Sequence, residues 1–334
     1  MRSDKTLLTA ATIVLWLALL PTFVTAQQQQ VTDTTSHTRI VLLGTGNPYV
    51  DPDRSGPATA IVVNGTPYLV DFGAGVVRRA KAAVVDRGIT ALEPVNFRVV
   101  FVTHLHSDHT IGYADLIFTP SAQRRVPLEV YGPTGIKAMT EHLLEAYRVD
   151  IDTRLRDSKI FGFPRVPEGT QVNAHEIKAG VIYKDANVTV TAFPTKHAME
   201  SYGYRFDTPD RSVVISGDTN PTEETIKACN GCDVLIHEAR TMEMFAKLPE
   251  GSHSFGAMYH TTSEQLAALA TKAKPGLLIV YHAWISWWPS SAPSGSQPVG
   301  PGTGEVHSTP DVLQKEIGSR YSGNFVIGRD LDVY

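Results

Sequence analysis

Cysteine is almost missing from this 334-residue sequence: Cys229 and Cys232, in Cys-Asn-Gly-Cys, are the whole supply. A single close pair lacks the second pair of a zinc knuckle, which argues against a cysteine-built metal site. A local disulfide and two packed thiols stay equally open, because Asn230-Gly231 reads as a helix C-cap before a strand. An excess of one charge is missing too. Thirty Lys and Arg against 34 Asp and Glu leave a formal charge of −4, so the whole chain shows no electrostatic footprint for nucleic acid. A dinucleotide fingerprint is absent, since Gly44-x-Gly46 has no third glycine at the required offset and no helix after it. Long apolar runs are confined to Leu7–Leu20. Arg2 and Lys5 precede that run and Phe23-Val24-Thr25-Ala26 follows it, which is the pattern of a secretory signal cut after Ala26. The run is near the short limit for an uncleaved anchor, and nothing later could span a bilayer. The expectation is an exported protein, periplasmic or secreted, with a disordered leader at 27–38 and a domain over 39–334.

What is present is concentrated at one place. Arg98-Val99-Val100-Phe101-Val102 is β-branched and apolar, and reads as a buried strand. At its end stands Thr103-His104-Leu105-His106-Ser107-Asp108-His109, with three histidines and one aspartate inside six residues. His104 and His106 are two apart, so in extended chain they point the same way and can grip one ion. Asp108 and His109, on the turn that follows, can reach a second. Neutral imidazole and carboxylate are the ligands of a zinc-type centre that keeps a water position open.

The same arrangement recurs along the chain. The strand Val188–Pro194 delivers His197, Ser212–Ile215 delivers Asp218, and Gly276–Tyr281 delivers His282. Strand-end residues thus offer His104, His106 and His197 to one ion, Asp108, His109 and His282 to another, and Asp218 to both. Seven such ligands suit two divalent ions, zinc or manganese, about 3.5–4 Å apart. Asp71, after the hairpin strand Tyr68–Val70, reads either as a residue that orients a ligand histidine or as a helix N-cap. A helix is expected from Ile111 to Phe118, and little regular structure between Asp150 and Lys184. Trp284, Trp287 and Trp288 directly follow His282 and offer the lining of a substrate pocket, or else packing beneath the Pro-, Gly- and Ser-rich loop over 286–310.

With these residues in hand, the sequence resembles the metallo-β-lactamase superfamily, and within it the ribonuclease Z and arylsulfatase branch. The matching segments are Leu43–Gly46, Thr103–His109, Ser201–Arg205, Ser216–Thr219, Ile236-His237-Glu238-Ala239 and His260–Gln265. The resemblance implies an αββα sandwich, an α/β fold with a two-metal site at one edge, and a metal-bridging hydroxide as nucleophile. It implies that Asp108 orients that nucleophile and that His237, oriented by Glu238, assists the leaving group. It also suggests a homodimer.

Departures from the tRNA-processing pattern bear on the substrate. Long-arm ribonucleases Z carry an insertion after Tyr-Gly-Tyr-Arg, whereas Tyr204 and Ser216 here are joined by a short hairpin. Asp71-Phe72-Gly73-Ala74-Gly75 lacks the family's glutamate. The leading expectation is a hydrolase of small anionic esters, arylsulfatase-like, that does not act on nucleic acid. Phosphodiesterase or ribonuclease Z-type cleavage is the alternative. Lactonase or β-lactamase chemistry and a non-catalytic metal-binding protein stand further off.

Overall fold

Period-two alternation gives each sheet two apolar faces, and three layers of core follow from it. The computed structural model describes residues 37–247, 250–285 and 308–334. The expected signal segment, nearly all of the leader, and Trp287 and Trp288 lie outside the described residues.

The first sheet runs β1 (Thr38–Gly44), β2 (Ala58–Val63), β3 (Thr66–Val70), β4 (Val99–Phe101), β5 (Leu128–Gly132), β6 (Val172–Glu176), in that spatial order. β1 to β3 are antiparallel, and β3 to β6 parallel. The second sheet is made of β7 (Gly180–Lys184), β8 (Thr189–Pro194), β9 (Tyr202–Asp207), β10 (Ser212–Ile215), β11 (Val234–Glu238), β12 (Leu277–Tyr281) and β13 (Phe325–Ile327), again in sequence order. Its strands are antiparallel as far as β10 and parallel from β10 to β13. The helices are α1 (Val76–Arg87), α2 (Ser107–Thr110), α3 (Tyr113–Phe118), α4 (Ile136–Ala146), α5 (Arg148–Phe161), α6 (Glu223–Cys229), α7 (Met242–Lys247), α8 (Glu250–Tyr259), α9 (Ser263–Ala273) and α10 (Pro310–Gly318).

Alternate residues of β1 show the layering. Ile40 and Leu42 enter the core between the sheets, with Phe101, Tyr204, Ile236 and Ile279. Val41 and Leu43 face the other way, onto Val76, Val77 and Ala80 of α1. Across the second sheet, Leu235, Leu278 and Val280 pack on Leu266 and Ala270 of α9 and Leu313 of α10. Each such side chain removed from water contributes about 1.5–3 kcal/mol, so the three cores supply the main drive to fold. The result is the αββα sandwich.

Local signals explain several connections. Asn64 and Gly65 both take positive φ, 50° and 79°, as the tight β2–β3 hairpin requires. Thr262 caps α9 through a capping box with Gln265. Cys229 and Cys232 are joined by a disulfide, which settles the open reading of that pair. Two expectations are corrected. Residues 150–184 are not irregular but form most of α5, then β6 and β7. α5 gave no periodic signal because it packs so little of itself, with Val149, Ile160 and Phe161 exposed, while β6 and β7 are short edge strands. The helix expected from Ile111 is broken at Gly112, which lies so close to Phe72–Gly73 that a Cβ there would stand 2.4 Å from the Gly73 carbonyl oxygen.

Candidate metal centre and active-site cleft

The parallel strands decide where the chemistry collects. β3 and β4 in one sheet, and β10, β11 and β12 in the other, bring their carboxyl ends to the same edge of the sandwich. They release there Asp71, His104, Asp218, Glu238 and His282 in turn. Five residues, 102–106, separate β4 from α2, which adds Asp108 and His109, with His106 at its N-cap. The segment after β8 adds His197.

Ring orientation is fixed from outside the centre. His109 donates from Nδ1 to Asp71 Oδ2 at 2.9 Å, and His197 donates from Nδ1 to the Tyr259 carbonyl at 3.1 Å. His104 Nδ1 lies 3.0 Å from Thr103 Oγ1, whose own hydroxyl is committed to Asp71. His104 and His197 therefore turn an unprotonated Nε2 inward, and His109 likewise aims its Nε2 at the centre. His104 Nε2 and His197 Nε2 both stand 3.0 Å from His106 Nδ1, and one ring nitrogen cannot satisfy two such neighbours. His109 Nε2, Asp218 Oδ1 and His282 Nδ1 are buried with no hydrogen-bond partner among the described residues. They converge, with Asp218 Oδ1 at 3.3 Å from His109 Nε2 and 3.5 Å from His282 Nδ1. His282 Nε2 meets Asp108 Oδ2 at 3.1 Å. Asp71 is thus an orienting residue; the N-cap of α1 is Gly75, without a side-chain cap bond.

The charges agree with this geometry. Burial opposes ionisation of Asp218, but His282 and His109 outweigh it and hold its pKa well below the usual carboxylate range. Asp108 is held down in the same way, burial again being outweighed by His109 and His282. Burial would discharge His109, yet Asp218, Asp71 and Asp108 raise it well above an ordinary histidine. Without a metal, then, a proton on His109 balances the crowded carboxylates.

Beside the cluster a cleft of about 410 Å³ opens, lined by His106, Asp108 and Asp218 on the cluster side and by Tyr49, Arg240, Phe255, His260 and Trp284 beyond it. Trp284 therefore faces the cleft, edge-on to Tyr49 with ring centroids 4.8 Å apart. His260 Nδ1 bonds both oxygens of Glu238, at 2.9 and 3.0 Å, and Glu238 also accepts the Thr219 N–H at 2.7 Å. Burial and then the charge of Arg240 push His260 down to about 3, while burial and then Asp218 push Glu238 well up.

The expected role of His237 is where the structure disagrees with the sequence reading. Side chains alternate along β11, so His237 follows Leu235 toward α9, whereas Glu238 shares the face of Val234 and Ile236. His237 is wholly buried, bonded through Nδ1 to the Glu238 carbonyl at 2.8 Å, and does not line the cleft. The partner of Glu238 is His260. His260 and Arg240 were missed as site residues because the segment before α9 reaches the end of β11 only in the fold, through a bridge between Arg240 and Thr262. The available signal was a histidine just ahead of the Thr262–Gln265 capping box.

Comparison with known proteins decides the family. A model of the β-lactamase superfamily domain matches residues 66–283. Ribonuclease Z of Mycobacterium bovis (strain BCG / Pasteur 1173P2) is 32% identical over 250 residues, 73% of this chain and 85% of that protein. This chain belongs to the metallo-β-lactamase superfamily, on its ribonuclease Z branch. The superfamily member from Mycolicibacterium gilvum (strain PYR-GCK), also a ribonuclease Z, is 33% identical over 250 residues, covering 73% of this chain and 83% of its own. Among solved structures the fold is shared with the metallo-β-lactamase fold protein YhfI from Bacillus subtilis, with TM-score 0.63, 17% identity and coverage of 90% and 100%. It is shared too with the short form of human tRNase Z, with TM-score 0.57, 20% identity and coverage of 89% and 98%.

Membership makes the protein a metal-dependent hydrolase. The relatives' name favours the ribonuclease Z alternative over the arylsulfatase reading, and gives no support to the expectation that nucleic acid is not a substrate. The superfamily implies a divalent metal, and this donor set fits one: inward Nε2 lone pairs, partnerless buried acceptors, and carboxylate charge that a cation would balance in place of the proton on His109. Among the described residues no helix is long and apolar enough to cross a membrane.

Proposed function

We propose that residues 39–334 form a phosphodiesterase that holds two divalent ions, zinc or manganese, through His104, His106, His197, Asp108, His109, His282 and Asp218. The observation that carries the choice of ester is the His260–Glu238 pair, opening on the same cleft as the ligand-type cluster. An alkoxide, the leaving group of a sugar phosphate, needs a proton as the ester breaks, whereas a phenolate from an aryl sulfate hardly does. His260 supplies that proton to the leaving oxygen, and Glu238, whose carboxyl burial pushes up and which bonds His260 Nδ1, is placed to replace it. Bound divalent ions would draw charge from the phosphoryl oxygens and lower the pKa of a water nearby. Asp108 orients that water, which gives one proton up to solvent as its oxygen bonds to phosphorus, and the P–O bond to the leaving group breaks as the new one forms. The turn between β9 and β10 is only Thr208–Arg211, so substrate is gripped within the cleft and not by an arm inserted there.

One observation favours the second reading, arylsulfatase action: Tyr49, Phe255 and Trp284 would suit an aryl group. The test loads the chain with zinc or manganese and compares rates on bis(4-nitrophenyl) phosphate and 4-nitrophenyl sulfate, with Asp218→Ala as control. Faster phosphate turnover, lost in the variant, is expected. Faster sulfate turnover would install the second reading, and silence on both with two ions bound would redirect the search to lactones. Fewer than one ion per chain, with no hydrolysis, would mean a non-catalytic protein. We also infer export from the Arg2–Ala26 pattern; sequencing the secreted protein's N-terminus should find Gln27 first.

A further inference from the structure

Arg240 has no duty in hydrolysis as derived above, and its setting is unusual. Its residue is 3% exposed, yet it lines the cleft. Its guanidinium lies over the Trp284 ring, with Cζ 3.9 Å from the centroid. Nε is buried with no hydrogen-bond partner among the described residues. A guanidinium carries five N–H donors in a rigid fork and stays charged, so leaving its buried Nε–H without an acceptor is costly, and the fork needs an oxyanion to complete it. The backbone holds the residue in place: the Arg240 N–H donates to the Thr261 carbonyl at 2.9 Å, and its carbonyl accepts the Ser263 N–H at 2.7 Å. The cation is therefore built into the wall, not swept in from solvent.

Its position relative to the cluster sets what it can bind. His197 and His260 are 5.0 Å apart by ring centroids, His260 and Trp284 6.4 Å, and Arg240 sits on Trp284. A ligand with its ester at the cluster would pass His260 and place its far end over Trp284 and Tyr49, against the guanidinium fork. We propose that Arg240, with Trp284 and Tyr49, is a specificity subsite for a second anionic group on the substrate, so that the preferred ester is a phosphodiester carrying a further phosphate or carboxylate beside a planar ring. This rests on the phosphodiesterase reading and deepens it. The fork provides bidentate recognition of an oxyanion, and the aromatic pair supplies stacking for the ring.

The test compares thymidine 5′-(4-nitrophenyl phosphate) with the same compound bearing a 3′-phosphate, as substrates of the metal-loaded enzyme. Wild type is expected to favour the 3′-phosphorylated ester in kcat/KM by about tenfold or more, the range of a charge-assisted bidentate contact. Arg240→Gln should bring the ratio close to one, and Arg240→Lys should keep part of it. A wild-type ratio near one, or a ratio that survives Arg240→Gln, overturns the proposal. A binding titration separates this failure from failure of the phosphodiesterase reading. Thymidine 3′,5′-bisphosphate and thymidine 5′-monophosphate are titrated against tryptophan fluorescence, which needs no turnover. A bisphosphate advantage that is lost in Arg240→Gln supports the subsite even where neither ester is cleaved. Equal affinities for the two nucleotides in wild type overturn it. Should Arg240→Gln not fold, the wild-type ratios and Arg240→Lys decide the matter alone.

Discussion

Changing Asp71 to asparagine alters a single group and should lower metal affinity about 10- to 100-fold, the usual cost of losing a partner that orients a ligand histidine. The Asp71 carboxylate is buried and takes the Thr103 N–H at 2.8 Å, the Thr103 hydroxyl at 2.9 Å and the His109 Nδ1–H at 2.9 Å. An amide keeps one acceptor oxygen and turns the other position into a donor. With the NH₂ toward His109, Nδ1 must accept, the ring proton moves to Nε2, and the atom aimed at Asp218 can no longer bind a cation. With the amide flipped, the Thr103 N–H faces a donor and is left unsatisfied, at about 1–3 kcal/mol. The backbone is not the issue: Asp71 has φ 61°, and asparagine tolerates that left-handed conformation. The expected affinity loss corresponds to about 1.4–2.7 kcal/mol. Zinc competition against a chromophoric chelator reads it, with circular dichroism confirming the fold. Two ions bound with wild-type affinity by a folded Asp71→Asn protein would refute both the tautomer argument and the place of His109 in the centre.

Three further outcomes follow from the same structure. His260→Gln should lower kcat on a phosphodiester with an alkyl leaving group by about 100-fold or more, and lower it much less on a 4-nitrophenyl diester, since general acid catalysis matters most for poor leaving groups. Equal losses on both would remove His260 from proton transfer. Stability should fall in acid through His237: burial depresses its pKa to about 4, so below about 6.5 the unfolded chain takes a proton that the folded one refuses, at about 1.4 kcal/mol per pH unit until pH 4. Urea titrations between pH 7 and 5 should be shallower in pH dependence for His237→Gln, and an unchanged slope would contradict this. Chelation should lower the melting temperature, and zinc should restore it, because a cation that binds only the folded cluster stabilises it by mass action; no shift on chelation would argue against a site of this kind.

The strand-end rule was legible in the sequence because it is local. An apolar β-branched run followed by His104-x-His106-x-Asp108-His109 states both the strand and the ligand chemistry within about a dozen residues. His197, Asp218 and His282 could be read by the same rule, each at the end of its own strand. The Asn64-Gly65 hairpin was equally local, and so was the cap of α9, which local pattern narrows to Thr262 or Ser263 and the structure places at Thr262. What the sequence could not determine is which side chains meet across long separations. Glu238 and His237 are neighbours in sequence but point to opposite faces of β11, so adjacency suggested a pairing that alternation forbids. His260 lies 22 positions beyond Glu238 and touches it only because the segment before α9 lies against the end of β11. Arg240 carries no local signal, and only the fold lays it on Trp284 and removes it from water. Periodicity assigns a residue to a face, but only the packed sheets decide what that face meets.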